Sequence, residues 1–288
     1  MRQARAACAG WPQPASLPAR ARVAGMNALT PVPRRTGSER TIVIGFLSAL
    51  VALCWAWLVF RALHPGPGDT AAGMAMSMEP PPPMPYRASE LGLVLGMWVA
   101  MMSAMMLPAT TPAVVLFARV SRLYHAVRRP YLATALFVLG YLFSWTLFAA
   151  AATLVQWALH DAGALDNGMA VTNATVAGLA LVAAGVYQWT PAKYASLHHC
   201  RTPLAFVLTG WRRGAWGAFR MGVTHGRYCV GCCALLATLL FAAGVMNLAA
   251  AAALALLVLT EKLAPGGTWI ATLAGLAMVA WGTLLLFP

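Results

Sequence analysis

A dense group of sulfur and imidazole side chains lies in one apolar stretch of the sequence, residues 219–245. It contains His225, Cys229, Cys232 and Cys233. In a helix these positions fall on one stripe, because residues three and four apart share a face. Two thiolates at this spacing can hold one soft metal ion. Since His225 and Cys232 are about 10 Å apart along the helix axis, one ion cannot use all four groups, and a second segment must contribute.

Residues 193–203, ahead of this stretch, are the natural source of further ligands. They include His198, His199 and Cys200, and we expect them to form a loop on the cytoplasmic side of a membrane. A site of three or four ligands would combine Cys200 with the cysteines of the apolar stretch. The alternative for the two histidines is that they are ordinary loop residues.

One acidic residue, Glu261, ends another apolar run on the same side. Three roles are open to it: a metal ligand, a hydrogen-bond acceptor that orients a histidine, or an ion-pair partner of Lys262 or Arg227. Ionisable groups in apolar segments are costly without such a role, so Glu261 is a candidate site residue.

The cysteines also have interpretations that need no metal. Cysteine often packs as a small buried hydrophobe, and the pairs Cys229/Cys232 and Cys232/Cys233 could serve thiol redox chemistry. A disulfide is not expected, because the cluster faces a reducing compartment. Three cysteines and a histidine on one face are denser than packing requires, so we prefer metal binding.

Methionine gives a second and independent signal. Met74, Met76 and Met78 alternate in a segment that a polyproline stretch would hold extended, which places three thioethers on one side of the chain. Thioethers suit Cu(I) and bind hard ions poorly. The alternative is a methionine-rich linker that binds nothing.

A row of methionines also follows one face of the second apolar run. Met97, Met101 and Met105 recur every four residues, with Met102 and Met106 beside them. Methionine fills irregular gaps in protein interiors, and packing is the first interpretation of this row. The alternative is a thioether track, with Met101 and Met105 as ligands, that leads copper inward.

The composition sets the environment for these groups. Charged residues make up 9% of the 288 and hydrophobic residues 60%, whereas a soluble globular chain has about 25% charged residues. So few charges cannot cover a soluble surface, and the composition excludes a soluble globular enzyme. Seven runs approach the roughly 20 apolar residues that a membrane helix needs. They are approximately 42–62, 89–117, 131–158, 170–190, 219–245, 248–263 and 267–287.

These runs predict an all-α, polytopic transmembrane bundle. Its parts are a disordered basic tail (1–40), a first membrane helix (41–64), an external Met/Pro-rich loop (65–88) and a six-helix membrane domain (89–288). Pro108 and Pro112 predict a kink in the second run. Two pairs of small residues predict close helix approaches: Gly92 with Gly96, and Gly222 with Gly226.

The distribution of charge gives the orientation. Basic residues collect in the tail and in alternate joints, and five of the seven acidic residues fall on the other side. By the positive-inside rule the N-terminus is cytoplasmic and Pro288 is external. Topology therefore explains the net charge of +13, and nucleic-acid binding is not predicted. The basic residues of the joints are Arg119, Arg122, Arg128, Arg129, Lys193, Arg201, Arg212, Arg213, Arg220 and Lys262.

No familiar catalytic motif occurs in the sequence. It has no phosphate-cradling glycine loop, no Gly-x-Ser-x-Gly elbow, no His-Glu-x-x-His and no Cys-x-x-Cys-His. A binding function is therefore favoured over an enzymatic one. Translation could start at Met1 or at Met26, and the tail lacks the apolar stretch of a secretory signal.

Several of these residues together form a pattern that resembles a bacterial family of predicted metal-binding integral membrane proteins, a domain of unknown function. The resemblance covers about residues 90–287 and implies a metal site built from the cysteines. One departure is Ser196, where the family pattern commonly has a second cysteine before Cys200, so the number of ligands is open. The pattern includes Met97-Trp98, Met101-Met102, Met105-Met106, Pro108, Tyr187, Pro191, Lys193, Cys200-Arg201, Pro203, Arg220, Gly222, His225-Gly226, Tyr228-Cys229, Gly231-Cys232-Cys233, Gly244, Met246-Asn247 and Glu261-Lys262.

Together these observations predict a multi-pass protein of the bacterial inner membrane that binds or handles a soft metal ion. Copper is the expected ion and zinc the alternative. The expected partners are the lipid bilayer, the metal ion, and a membrane-protein partner or a second copy. The alternative functions are a non-catalytic assembly protein and a membrane thiol oxidoreductase.

Overall fold

Helices joined by short turns make up the described part of the chain. A computed structural model describes residues 36–64, 88–123, 130–165 and 169–287. Within these ranges every named element is a helix, which confirms the predicted all-α class. Residues 42–288 form one unit, and the other unit, Met1–Thr41, lies outside the described residues except for the start of the first helix. Met74, Met76 and Met78 also lie outside them.

The helices are numbered in chain order. They are α1 (Thr36–Leu63), α2 (Ala88–Leu123), α3 (Pro130–Asp161), α4 (Ala174–Tyr187), α5 (Pro191–Arg201), α6 (Pro203–Thr209), α7 (Gly214–Ala243), α8 (Leu248–Leu263) and α9 (Gly267–Leu286).

Five of these helices are long and apolar enough to cross a membrane: α1, α2, α3, α7 and α9. The fourth and sixth apolar runs correspond to the shorter helices α4, with 14 residues, and α8, with 16. Helix α2 continues without a break through Pro108 and Pro112. The structure thus supports five helices of membrane-spanning length, and seven spans stay a prediction.

Side-chain caps define where the shorter helices begin. Asn173 accepts hydrogen bonds from the first turn of α4, and Asn247 does the same for α8. Thr190 caps α5 by accepting from the Lys193 amide, and Pro191 supplies the first helical residue. The prediction of a loop at residues 193–203 is therefore wrong, because the Thr190 cap and Pro191 start a helix there.

Helices α3 and α7 approach closely where glycine removes the side chain. A Cβ at Gly222 would collide with the Phe137 carbonyl oxygen, and one at Gly226 would lie 2.7 Å from Ser144 Oγ. The prediction of a close approach at this glycine pair is confirmed. Gly92 and Gly96 of α2 have nothing within 4 Å of such a Cβ, so the structure gives this second pair no packing role.

The short helices end beside the middle of α7. The Tyr187 hydroxyl, at the end of α4, donates to the Gly231 carbonyl. Arg201 donates to the carbonyls of Glu261 and Ala264 and so closes the end of α8. Helices α2 and α3 are also in contact, since Phe117 stacks on Phe137 with ring centroids 4.6 Å apart. The hydrogen bonds of Tyr187 and Arg201 therefore lie at the ends of α4 and α8, beside the longer helix α7.

Candidate metal centre

Helix α7 carries three cysteines into the interior. Cys229, Cys232 and Cys233 are fully buried, and His225 is 2% exposed. The Sγ atoms of Cys232 and Cys233 lie 3.2 Å apart, and Cys232 Sγ donates to the Cys229 carbonyl at 3.2 Å. The structure therefore brings together the sulfur atoms whose spacing along the helix suggested a common face.

Helix α5 adds a fourth thiol from outside α7. Cys200 Sγ lies 4.0 Å from Cys232 Sγ. Ser196 is one turn earlier on α5 and faces Gly231, where a Cβ would lie 2.9 Å from its hydroxyl oxygen. The short side chain at Ser196 and the missing one at Gly231 allow α5 to lie close against α7.

The two neighbouring histidines of α5 are placed differently from Cys200. His198 is exposed, and the His199 ring stacks on Tyr228 with centroids 4.0 Å apart. His199 Nδ1 also lies 2.8 Å from the Ala195 carbonyl oxygen. The contacts described for these two side chains in the structure do not reach a cysteine sulfur.

His225 is enclosed by aromatic rings near the cysteines. The rings of Phe137, Tyr141 and Phe206 lie with their centroids 5.4 to 6.1 Å from the imidazole. Its Nδ1 atom is buried and has no hydrogen-bond partner among the described residues. A free imidazole nitrogen one helical turn from Cys229 is a candidate donor for a metal ion.

Glu261 forms a buried ion pair with Lys193. The Lys193 Nζ atom lies 2.8 Å from Glu261 Oε2, and both side chains are essentially inaccessible. The other carboxylate oxygen, Oε1, accepts from Gln188 Nε2 at 2.8 Å. The sequence suggested Lys262 or Arg227 as the partner of Glu261, and the structure corrects this to Lys193 and Gln188. These two side chains lie within reach because α4, α5 and α8 meet here.

Lys193 also links α5 to α7. Its Nζ atom donates to the Cys232 carbonyl at 2.7 Å. The Glu261 carboxylate, 2.8 Å away, compensates the cost of burying this ammonium group. Lys193 is thus a buried cation and not one of the surface charges of a joint.

Two further side chains touch Cys229 and were not among the predicted site residues. Lys262 Nζ donates to Cys229 Sγ at 2.9 Å. The Tyr141 hydroxyl lies 3.1 Å from the same sulfur and donates to the Met106 carbonyl. The sequence presented Lys262 as a basic residue of a joint, as a possible partner of Glu261 and as part of the family pattern, but not as a residue that contacts a cysteine. Nothing in the sequence singles out Tyr141.

The methionine row of α2 lies in the interior. Met101 and Met105 are each 1% exposed, and Met97 is 7% exposed. Met102 and Met106 are fully buried. Tyr141 connects the inner end of this row to Cys229 through its contact with Met106. These methionine side chains thus lie in the interior of the bundle.

The sulfur atoms suit pairwise binding of a soft ion. A metal–sulfur bond is about 2.3 Å long, so two sulfurs on one ion lie at most about 4.6 Å apart. The Cys200 and Cys232 sulfurs, at 4.0 Å, meet this limit. In the part of the chain that the structure describes, no group of three or more His, Cys, Asp or Glu side chains is arranged to hold a metal ion.

Comparison with known proteins identifies a family for this chain. No curated protein and no solved structure matches the chain. A family model described as "PpoB2: Copper chaperone" matches residues 95–285, which include every cysteine of the centre. This match covers well over half of the chain. The chain therefore belongs to the PpoB2 copper chaperone family.

Proposed function

We propose that this protein is a multi-pass membrane copper chaperone that holds Cu(I) between cysteine thiolates of α5 and α7. The observation that carries the proposal is the 4.0 Å distance between the sulfurs of Cys200 and Cys232, which one ion can bridge. Thiolates are the protein ligands that Cu(I) prefers. Membership of a copper chaperone family favours copper over zinc.

The roles we assign follow from what each side chain already contacts. Cys200 and Cys232 are the first pair of ligands, and Cys233 and Cys229 offer sulfurs within one helical turn. His225 has a free Nδ1 atom and would donate to an ion only at the Cys229 end of the cluster, because it lies about 10 Å from Cys232 along the helix axis. Glu261 holds Lys193 and Gln188 through both of its oxygens, so we assign it a structural role instead of ligation.

We further propose that the bundle lies in the bacterial inner membrane with its cysteine centre toward the cytoplasm. Five apolar helices of spanning length and many large apolar side chains on their outer faces support membrane insertion. The basic tail and the arginines of the joints support a cytoplasmic N-terminus. In this arrangement the cysteines lie near the level at which α4 and α8 end.

Methionine provides a route from the external side to the centre. Met74, Met76 and Met78 would capture Cu(I) outside, and the buried row with Met101 and Met105 would pass it inward along α2. The Tyr141 hydroxyl links the end of this row to the cysteines, because it contacts both the Met106 carbonyl and Cys229 Sγ. His198 and His199, on the outer side of α5, would meet the ion only after it leaves the buried thiols.

Copper content of the purified full chain tests the proposal. The protein is prepared in detergent, exposed to Cu(I) without oxygen, desalted and analysed for copper and zinc. We expect stoichiometric copper in the wild type and loss of most of it in Cys200→Ser and Cys232→Ser, because each variant removes one sulfur of the pair.

Cys54→Ser is the matched control for these variants. Cys54 is a free, partly exposed thiol of α1, so its loss reports any general effect of removing a cysteine. We expect it to bind as much copper as the wild type. Copper at background level in the wild type, or in unchanged amount in Cys232→Ser, would contradict the proposal. If the cysteine variants instead lose a co-purifying protein at constant copper content, the assembly function is favoured.

A further inference from the structure

The two lysines of the chain lie together in the cysteine centre. Lys193 is fully buried and Lys262 is 6% exposed, whereas all other basic side chains of the chain are arginines or histidines. A buried ammonium group is costly unless an anion or several hydrogen-bond acceptors accompany it. The centre therefore has to supply negative charge for both lysines.

The two lysines are neutralised in different ways. Lys193 pairs with Glu261 at 2.8 Å, and Glu261 is the sole acidic residue in the sequence after Asp166. Lys262 contacts Cys229 Sγ at 2.9 Å, and within the described residues no carboxylate is recorded beside it. Its counter-charge therefore has to come from sulfur.

The remaining nearby cation does not change this balance. Arg201 directs its guanidinium group at the carbonyls of Glu261, Ala264 and Pro265, at the end of α8. Its charge is thus met by the negative end of that helix. Since Lys193 and Glu261 cancel each other, Lys262 leaves the sulfur cluster facing one positive charge.

We propose that Lys262 selects the charge of the bound ion, so that the centre favours a monovalent soft cation over a divalent one. This inference rests on the proposed function. Two thiolates with one monovalent cation, while the other cysteines of the centre remain neutral thiols, carry one net negative charge, which Lys262 balances. The same two thiolates with a divalent cation are neutral, and they leave the buried charge of Lys262 without a partner.

Lysine suits this task because its charge is compact and its stem is flexible. Lys262 Nζ donates to Cys229 Sγ, and a thiolate can accept this hydrogen bond while another lone pair binds a metal ion. The ammonium can therefore stay beside the sulfur in both the metal-free and the loaded centre.

The test compares Ag(I), a monovalent soft probe that is stable in air, with Zn(II). Affinities of the full chain in detergent are measured by competition with chelators for wild type, Lys262→Met, Lys262→Gln and Lys262→Arg. We expect both neutral variants to lose at least about tenfold in Ag(I) affinity relative to Zn(II), because the charge that favours the anionic complex is gone. Lys262→Arg should keep the wild-type ratio.

Outcomes separate this inference from the proposed function. A wild type that binds neither Cu(I) nor Ag(I) overturns the copper function itself. A wild type that binds both, with the same Ag(I) to Zn(II) ratio in Lys262→Met and Lys262→Gln, overturns only the role of Lys262. If both neutral variants fail to fold, Lys262→Arg decides: a ratio near the wild-type value supports charge selection, and a loss of about tenfold or more contradicts it.

Discussion

Lys193 holds three helices together through one ammonium group. It belongs to α5, donates to the Glu261 carboxylate of α8 and donates to the Cys232 carbonyl of α7. Buried pairs of this kind are expensive to form, but removing one partner alone is worse, because the other charge remains buried. At the scale of single residues, the hydrogen bond to Cys232 holds α5 and its Cys200 against α7, and the ion pair with Glu261 holds α5 against α8.

We expect Lys193→Met to destabilise the protein strongly. The variant leaves the Glu261 carboxylate buried without its cation, which costs about 3 to 5 kcal/mol in comparable pairs. Unfolding of the full chain in detergent, followed by circular dichroism, measures the effect. The double variant Lys193→Met/Glu261→Gln removes both charges and should recover much of the loss. Equal stability of the single and double variants would show that the ion pair does not carry this stability.

The sequence predicted the cysteine face correctly but not its surroundings. Spacing within one helix determines which side chains share a face, so the grouping of Cys229, Cys232 and Cys233 followed from the sequence. The contact of Lys262 with Cys229 joins residues 33 positions apart on different helices. No local pattern encodes such a contact, and the sequence suggested Glu261, not a cysteine, as the partner of Lys262.

At the scale of elements, the contact between α3 and α7 positions the centre. Gly222 lets the backbone of α7 touch the Phe137 carbonyl of α3. This approach brings the Tyr141 hydroxyl to 3.1 Å from Cys229 Sγ. Any residue that separates the two helices would therefore also move a side chain that contacts the sulfur cluster.

Gly222→Ala should lower both stability and copper binding. The added methyl group meets the Phe137 backbone, which cannot rotate away, and overpacking of this kind costs roughly 1 to 3 kcal/mol. Thermal unfolding in detergent and copper content provide the two measurements.

Gly92→Ala is the matched control, since nothing lies within 4 Å of its added carbon. Alanine is the better helix former by up to about 1 kcal/mol, so this variant should be as stable as the wild type or slightly more stable. Similar losses in both variants would mean that close packing at Gly222 is not responsible.

Long helices were easier to predict from the sequence than short ones. The long apolar runs of α2, α3 and α7 are unmistakable, whereas α5 has only 11 residues and a polar composition. Its start was nevertheless encoded, because Thr190 followed by Pro191 is a typical cap and first helical residue. The approach of Cys200 to Cys232 depends on how α5 docks, which only the tertiary structure reveals.

At the scale of the whole molecule, the cysteine centre has a defined depth. Cys229 lies 14 residues before the end of α7 at Ala243, which corresponds to about 21 Å along the axis. The hydrocarbon core of a bilayer is about 30 Å thick. If Ala243 lies at the external surface, the sulfur atoms lie in the cytoplasmic half of the membrane, and external copper must cross the bundle interior to reach them.

Reporter fusions test this arrangement. Alkaline phosphatase fused to a membrane protein is active only outside the inner membrane. Green fluorescent protein fused in the same way becomes fluorescent only in the cytoplasm. We expect phosphatase activity for fusions in residues 65–87 and after Pro288, and fluorescence for fusions in residues 124–129, because the arginines of the joints mark the cytoplasmic side. The reverse pattern would invert the proposed direction of copper movement.

The four thiols of the centre differ in their access to solvent. Cys229, Cys232 and Cys233 are sealed inside, whereas Cys200 is partly exposed. A ligand from another molecule can therefore reach a bound ion first on the Cys200 side, where it replaces the Cys200 sulfur. The buried sulfurs release the ion only after this replacement. Copper held here would leave at a rate set by the movement of α5, even in the presence of a stronger chelator. Slow exchange, as much as tight binding, would keep the ion from competing thiols until a recipient reaches Cys200.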